Sequence, residues 1–491
     1  MNRTHIFIAL FVLSSFNLSA QFDIRYDPSI QPAGNIQYFK PAGYQFVGDC
    51  IPFFHDGTYF LYWLLDEGHH SALDGLGGHQ WVVSTTKDLK TWTHHPIVIG
   101  IEEDWEKSIC TGSVAFHKGK FYAFYATRLI TDGNQVNEQL SYAISTDGIH
   151  FEKQKPNPFY TSSPGYSKRH FMDPKVIVDK DGTFHLFVTS LVEDYFISEG
   201  RGCLVHLTSK DLKKWELQKP LISGQKYEPE CPDYFQWNDW YYLIYGQIGR
   251  TYYVKSKNPY GPWEFPKSQV LAERWVNVAK TAKFTGNRRI VAGWIPSKNE
   301  NRDYGHERFG GNVVLREAVQ LPNGDLATKF PDEAIPVTGA PLSIHIIVSD
   351  NSTKLSSDGI LVNAPGDIGG AYLINVPYNC RITLEIEIEG NIDEYGLFLR
   401  AKDKANDGYK LSFSPNTQII GLGNDARMEA VQGLDKAIKL DIVMKDEFID
   451  VSIVNKQCMI NRLSEKKGNY LWFFARNGKL KFSNIKLYPI N

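Results

Sequence analysis

The chain has 491 residues, with 53 basic and 55 acidic side chains. That length exceeds what one compact core needs, so two domains are expected. The even charge balance shows no basic stripe, which argues against nucleic acid as a partner. Low-complexity runs and acidic tails are also missing from the sequence, and we expect a folded chain throughout.

The first twenty residues differ in character from the rest. Arg3 and His5 precede an apolar stretch over Ile6–Leu13, and small polar residues lead to Ala20. This layout is typical of a secretory signal peptide over residues 1–20, and it predicts a secreted or periplasmic protein. A retained N-terminal anchor is the alternative. The apolar stretch is short for a bilayer, and the mature chain is expected to have no membrane span.

The six cysteines do not form the dense pattern of a disulfide scaffold. Cys50, Cys110 and Cys231 fall inside strand-like runs, where cysteine usually serves as a small buried packing residue. Since no C-x-x-C pair occurs, no structural zinc is predicted. We expect neither a metal nor an organic cofactor.

A short turn followed by an aromatic-rich strand recurs five times. The copies lie at residues 56–63, 118–125, 181–188, 238–245 and 286–294. Each has a Gly, Asn or Asp turn before a run of strand-forming residues, the pattern of a β-hairpin. Recurrence of such a unit about every sixty residues predicts a five-bladed β-propeller, here over residues 22–335.

Beyond Pro336 the pattern becomes strict alternation of apolar and polar residues, as in Arg381–Ile388 and again near Tyr470. Alternation with frequent turns predicts an antiparallel β-sandwich over residues 340–491. The predicted fold class is therefore all-β, a five-bladed β-propeller followed by a C-terminal β-sandwich.

Carboxylic acids occupy matching places in three of the five repeats. Eight or nine residues before each turn stand Asp49, Thr111, Asp173, Glu230 and the pair 277–278. Propeller geometry would gather these positions at one end of the central channel. Converging acids push their pKa values apart, which provides the ionised and protonated carboxyl groups that glycoside hydrolysis needs. Turn-capping acids or ligands of a structural cation are the alternative.

Five stretches resemble glycoside hydrolase family 32, the β-fructosidases. Residues 228–233 read Glu-Pro-Glu-Cys-Pro-Asp, similar to that family's Glu-Cys-Pro-Asp motif. Residues 173–176 read Asp-Pro-Lys-Val, similar to its Arg-Asp-Pro motif. Residues 78–92, 111–113 and 292–294 resemble further family segments, so the resemblance extends along the mature chain.

The resemblance implies catalytic roles for the three acids: Asp49 as nucleophile, Glu230 as general acid/base and Asp173 as transition-state stabiliser. It implies a retaining double displacement on terminal β-fructofuranosyl residues of a fructan or a sucrose-like oligosaccharide. Matching segments supply the substrate-binding candidates, to which Arg169 is added as a substitute for the family arginine replaced by Met172. These candidates are His79, Trp81, Thr111, Ser113, Arg169, Lys175, Asp233 and Trp294.

Two departures from the family pattern leave other functions open. Gly48 precedes Asp49 where the family carries Asn, and Met172 precedes Asp173 where it carries Arg. One alternative is an inverting furanosidase or xylosidase of a related five-bladed family, such as an arabinofuranosidase. The other is a glycan-binding protein without hydrolytic activity. A loop containing His69, His70, Asp74 and His79 is expected to form a polar rim at the sugar pocket, with metal binding as its alternative.

Overall fold

A computed structural model describes residues 31–131, 133–193, 200–335, 339–454 and 456–490. The predicted signal peptide, residues 1–20, lies outside the described residues. The predicted domain boundaries at residues 22, 335 and 340 stay predictions, and residues 336–338 are likewise outside the described part. Strands dominate the described chain, which confirms the all-β prediction.

Five blades of four antiparallel strands form the first domain. Each predicted turn joins the first and second strands of a blade. The strands are, for blade one, β2 (Gln45–His55), β3 (Thr58–Glu67), β4 (Gln80–Thr86) and β5 (Trp92–Ile99), with β1 (Gln31–Ala33) added beside β5; for blade two, β6 (Ser108–His117), β7 (Lys120–Thr131), β8 (Gln135–Ser145) and β9 (Glu152–Lys153); for blade three, β10 (Tyr166–Val178), β11 (Phe184–Val192), β12 (Gly202–Ser209) and β13 (Glu216–Gln225); for blade four, β14 (Glu230–Trp237), β15 (Trp240–Gln247), β16 (Arg250–Ser256) and β17 (Val270–Ala272); for blade five, β18 (Asn277–Phe284), β19 (Arg288–Lys298), β20 (Glu307–Gln320) and β21 (Leu326–Lys329).

The first strands of the blades form a closed ring. β2 contacts β6, β6 contacts β10, β10 contacts β14, β14 contacts β18, and β18 returns to β2. Blade five also pairs with blade one through Val47 of β2 and Gly311 of β20. Ring closure removes open sheet edges between the first and last blades. The predicted five-bladed propeller is therefore confirmed.

The first strand of every blade carries a β-bulge. The interrupted pairings span residues 47–50, 109–112, 172–175, 230–233 and 277–280. A bulge leaves residues outside the regular ladder and re-aims their side chains, and bulges are common beside active sites. The five bulges therefore lie at the positions that the repeat marked as the channel mouth.

The second domain is a sandwich of antiparallel strands. Its longest strand, β33, pairs with three others, β24, β25 and β26. The strands are β22 (Ile346–Val348), β23 (Thr353–Ser356), β24 (Gly359–Leu373), β25 (Cys380–Glu389), β26 (Glu394–Ala401), β27 (Tyr409–Ser414), β28 (Ile419–Leu422), β29 (Ala426–Met428), β30 (Ile438–Lys445), β31 (Phe448–Ile453), β32 (Gln457–Arg462) and β33 (Tyr470–Pro489). Its alternating strands bury one face, as the sequence pattern predicted.

The sandwich packs against blades four and five. Trp275 and Ile295 of the propeller share one hydrophobic cluster with sandwich residues such as Leu384. A buried ion pair crosses the same interface, with Arg316 Nη2 2.6 Å from Asp450 Oδ1. Burial of both apolar and paired charged groups fixes the two domains against each other.

Helical structure in the described residues is confined to short segments. They are α1 (Ala72–Gly75) and the 3-10 turns Thr285–Asn287, Asn299–Asn301 and Ala405–Asp407. A search of the described residues for a helix of membrane-spanning length and apolarity found none.

Candidate active site

The three predicted acids lie together at the bulged ends of β2, β10 and β14. The thiol of Cys231 links them, with Sγ 3.7 Å from Asp49 Oδ2 and 3.6 Å from Asp173 Oδ2. The backbone N–H of Cys231 also donates to Asp173 Oδ2 at 2.9 Å, and Glu230 precedes it in the chain. Residues from three separate blades therefore converge on one point.

The acids are not at equivalent places in their strands, contrary to the simple register prediction. Glu230 pairs regularly at the start of its bulge, Asp173 is the first unpaired residue and Asp49 the second. Asp173 and Cys231 have left-handed backbone, with φ of 52° and 51°. Such strain costs on the order of 1–3 kcal/mol for each residue and occurs preferentially at functional sites.

Asp49 is half-buried and held by two donors. The indole Nε1 of Trp294 donates to Asp49 Oδ1 at 3.0 Å, and the thiol of Cys231 approaches the other oxygen. Burial raises the pKa of Asp49, while the positive charges of Lys280 and His79 and both hydrogen bonds oppose the rise. These contacts favour the ionised carboxylate, the form that a nucleophile needs.

The pKa values of the other two acids are raised as well. Burial, together with the charges of Asp173 and Asp49, raises the pKa of Glu230 to about 8. Burial and the charge of Glu138 raise the pKa of Asp173 to about 7, although Lys280 opposes the rise. The site therefore contains an acid, Glu230, that is protonated at neutral pH, beside Asp49, whose hydrogen bonds and the nearby Lys280 charge oppose the effect of burial on its pKa. A general acid beside a carboxylate is the pairing that glycoside hydrolysis needs.

Sequence reasoning missed Lys280, a buried cation beneath these acids. Its side chain is 3% exposed and reaches from blade five to blade two, where Nζ donates to Gly112 O at 2.8 Å and Thr111 Oγ1 at 3.2 Å. Its charge lowers the pKa of both Asp49 and Asp173. One sequence signal could have identified this residue: it is a lysine in the apolar run of β18, three residues after position 277 of the predicted register.

Lys175 and Asp233, both predicted to bind substrate, pair with each other. Lys175 Nζ lies 2.7 Å from Asp233 Oδ1, and Thr281 donates its N–H and hydroxyl to Asp233 Oδ2 at 2.9 and 2.6 Å. Burial alone would raise the pKa of Asp233, but the charges of Lys175 and Arg289 hold it below its ordinary value. These residues join blades three, four and five under the acids.

Three further predicted substrate-binding residues lie inside the fold, and their contact with substrate stays a prediction. Trp81 is fully buried and its Nε1 donates to Cys110 O at 2.8 Å, so no ring face is open to a sugar. Ser113 is 4% exposed and bonds Pro174 O and Val176 N, which ties blade two to blade three. Thr111 is 1% exposed and accepts from Lys280. All three support the site from inside the fold.

The remaining predictions have mixed outcomes. Trp294 is 3% exposed and holds Asp49 through its indole nitrogen rather than presenting its ring to solvent. His79 is buried, although its charge acts on Asp49. Arg169 is exposed on β10, and its role as a substitute for the family arginine stays a prediction. Cys50 and Cys110 are buried packing residues as predicted, whereas Cys231 also contacts the acids.

The histidine loop forms a hydrogen-bond network beside the site. Asp66, His70 and His79 offer ligand atoms within 4.8 Å of one another. His79 Nε2 lies 3.0 Å from Asp66 Oδ1, and Arg128 Nη1 donates to His70 Nε2 at 2.7 Å. Because a guanidinium already occupies one edge of the cluster, a second cation there would be repelled. We therefore interpret the cluster as a polar network and not as a metal centre.

Convergent carboxyl groups at the mouth of a five-bladed propeller, with Glu230 protonated at neutral pH, define a glycoside hydrolase site. The model of the glycosyl hydrolases family 32 N-terminal domain matches residues 50–329, more than half of the chain. The protein therefore belongs to glycosyl hydrolase family 32, which confirms the resemblance seen in its motifs.

Curated relatives of the chain are similar at modest identity. It is 25% identical over 318 residues to a sucrose-6-phosphate hydrolase from Escherichia coli, covering 60% of this chain and 63% of that protein. It is 25% identical over 292 residues to a raffinose invertase from Escherichia coli, covering 56% and 53%. A levanase from Bacillus subtilis is 22% identical and covers 99% of this chain and 74% of the levanase. The chain thus spans less than two thirds of the first two relatives.

Solved structures share the whole two-domain fold. Fructan 1-exohydrolase IIa from Cichorium intybus superposes with a TM-score of 0.70 at 15% identity, covering 92% of this chain and 96% of that one. A sucrose-6-phosphate hydrolase from Lactobacillus gasseri gives a TM-score of 0.66 at 15% identity, covering 93% of each chain. At this identity the likeness supports the fold alone.

Replacement of Trp294 by Phe tests the support of Asp49. Removing the Nε1 donor leaves one oxygen of Asp49 unpaired, so we expect kcat to fall by about 10- to 100-fold with little change in KM. Steady-state kinetics on a glycoside that the protein cleaves measures this. Trp81→Phe is the matched control, because it removes an indole donor that bonds a backbone carbonyl. Equal loss of kcat in both variants would contradict the assignment.

Proposed function

We propose that the protein is a β-fructosidase that hydrolyses terminal β-fructofuranosyl residues of sucrose or fructans with retention of configuration. The observation that carries this proposal is the convergence of Asp49, Asp173 and Glu230, in which burial raises all three pKa values and neighbouring carboxylates raise those of Asp173 and Glu230 further. Family membership and similarity to a levanase and a raffinose invertase support the fructoside as substrate class.

In the first step, Asp49 attacks the anomeric carbon of the fructosyl unit. Glu230 donates its proton to the glycosidic oxygen, so that the bond to the leaving sugar breaks and the sugar departs as an alcohol. The product is a fructosyl ester on Asp49. Asp173 hydrogen-bonds the ring hydroxyls and strengthens this contact as positive charge develops on the sugar.

In the second step, the ionised Glu230 acts as base. It removes a proton from water, and the resulting oxygen attacks the same anomeric carbon and expels Asp49 as its carboxylate. Fructose leaves, and Glu230 is again protonated. Because the pKa of Glu230 is raised to about 8, the carboxyl group keeps this proton at neutral pH and can donate it in the next cycle.

Replacement of Asp49 by Ala is expected to abolish hydrolysis, because no ester can form. Release of fructose from sucrose, inulin and levan measures the loss, and circular dichroism checks the fold. Wild-type protein should yield the product anomer of retention in NMR of the earliest product. Substantial activity of Asp49→Ala would remove its role as nucleophile, and an inverted first product would favour the inverting alternative.

The pH dependence of kcat/KM should be bell-shaped. Activity should fall as the pH rises through about 8, because Glu230 then loses the proton that it donates. Activity should also fall as the pH is lowered, because Asp49 must be ionised to attack. Since the pKa of Asp49 is raised, the midpoint of this acid limb should lie above the ordinary aspartate pKa of about 3.9. Since the three carboxyl groups titrate together, the two limbs of the pH profile report apparent pKa values of the whole set.

Glu230→Gln provides the control for this profile. With 4-nitrophenyl β-fructofuranoside, whose leaving group needs little protonation, the variant should retain measurable kcat/KM and lack the alkaline limb. An alkaline limb that persists unchanged in Glu230→Gln would assign that ionisation to another group.

Residues 1–20 are proposed to direct export, since their basic start, apolar centre and small residues match a secretory signal. N-terminal sequencing of protein recovered from the periplasm or medium of an expressing bacterium should then begin at Gln21. Recovery of the uncleaved chain in the cytoplasm or membrane fraction would contradict export.

A further inference from the structure

A second groove lies between the outer parts of blades three and four. Its volume is about 740 Å³, and none of its lining residues belongs to the acid site. Tyr260, Trp263 and Phe265, from the segment between β16 and β17, form one side, and His185 and His206 lie on the other strands of the wall. Hydroxyl and amide side chains complete it: Thr183, Thr208, Gln218, Ser223 and Gln225.

Tyr260 has the features of a built aromatic platform. Its ring is 36% exposed and nearly parallel to Tyr234 and His185, at centroid distances of 5.8 and 5.6 Å. Its backbone is left-handed, with φ of 62°, which is unfavourable for a residue with a bulky side chain. Phe265 nearby is 57% exposed. The fold therefore maintains exposed flat rings at a local conformational cost.

The polar groups of the groove are almost all uncharged. His185 Nδ1 and His206 Nε2 are 2.9 Å apart, so the two buried rings share a hydrogen bond that needs at least one neutral imidazole. Burial also lowers the pKa of His206 to about 4. Lys219 is the one formally charged side chain among the lining residues. Flat apolar rings surrounded by neutral donors and acceptors match a neutral, hydroxyl-rich ligand better than an anion or a peptide rich in charge.

The groove continues past Tyr260. A cavity of about 600 Å³ that is also lined by Tyr260 has Tyr234, Tyr241 and Gln236 in its wall. Its charged lining residues are Asp179, Lys180 and Asp181, so this second cavity is less neutral than the first. Ligand sites for small molecules range from about 300 to 1,000 Å³, so the two cavities together accommodate more than one sugar unit. An extended chain could therefore cross Tyr260 and contact both.

We propose that this Tyr260 groove is a secondary glycan-binding site that holds a fructan chain outside the active site. The identity of the ligand rests on the proposed function, because the chain that the enzyme hydrolyses is the hydroxyl-rich polymer in its surroundings. Stacking on Tyr260 and Phe265 would supply apolar contact, and the amide and hydroxyl groups would satisfy sugar hydroxyls. The groove would raise the local concentration of polymer ends without touching the reacting bond.

Affinity electrophoresis of the full-length Asp49→Ala protein in gels that contain levan or inulin tests binding directly. Saturating fructose occupies the active site, so that retardation reports on the groove. Adding Tyr260→Ala and Phe265→Ala should weaken retardation by about tenfold in apparent affinity. Leu355→Ala, which trims an exposed apolar residue on the sandwich, is the matched control and should leave retardation unchanged. Unchanged retardation in the Tyr260→Ala, Phe265→Ala protein would overturn the proposal.

Kinetics of the same two substitutions in the active enzyme separate the groove from catalysis. We expect kcat/KM for levan to fall several-fold while kcat/KM for sucrose stays within about twofold, since a disaccharide cannot occupy both sites. Equal losses of kcat/KM on levan and sucrose would overturn the proposed role of the groove. Failure of wild-type protein to cleave any fructoside would instead refute the proposed function, and the electrophoresis of Asp49→Ala would still report on glycan binding.

Discussion

The site depends on the electrostatic balance between three carboxyl groups, of which Asp173 is buried and Asp49 and Glu230 are half-buried, and one buried ammonium. Asp49 and Asp173 approach the same thiol, and Glu230 is adjacent in the chain to that thiol's residue. Burying such acids without compensation would protonate all of them or unfold the site. Lys280 supplies positive charge from below and is itself held by oxygen atoms of blade two. The result is a set of raised pKa values, about 8 for Glu230 and about 7 for Asp173, in which the charge of Lys280 opposes the rise at both aspartates.

This balance is a property of the closed ring of blades. Lys280 belongs to blade five and its acceptors to blade two, while the acids come from blades one, three and four. All five blades therefore contribute to one point, which is possible only because the ring closes and each first strand is bulged there. The Lys175–Asp233 pair and the hydroxyl of Ser113 connect neighbouring blades beneath the acids. The bulged segments of the first strands thus carry both the acids and the residues that hold them in place.

The sequence allowed the fold and the three acids to be predicted, because repeated hairpin turns and short motifs are local patterns. It did not determine the roles of buried polar residues. Trp81 and Ser113 lie in segments that resemble family motifs, yet their partners are distant in the chain and turn them inward. Lys280 escaped prediction for the same reason, since its acceptors lie 168 and 169 residues away. The distance of eight or nine residues from each acid to the following turn also did not reveal that Asp49 and Glu230 occupy different positions in their bulges.

The most direct test of this account is the pH dependence of kcat/KM in Lys280→Met, compared with Lys280→Arg and with Lys283→Met, which changes an exposed lysine on the same strand. Loss of the Lys280 charge should raise the pKa of Asp49 and Asp173, so the acid limb should move to higher pH by about one unit. Lys280→Arg should restore much of the wild-type profile, and Lys283→Met should not differ from wild type. A folded Lys280→Met protein with the wild-type acid limb would contradict the account.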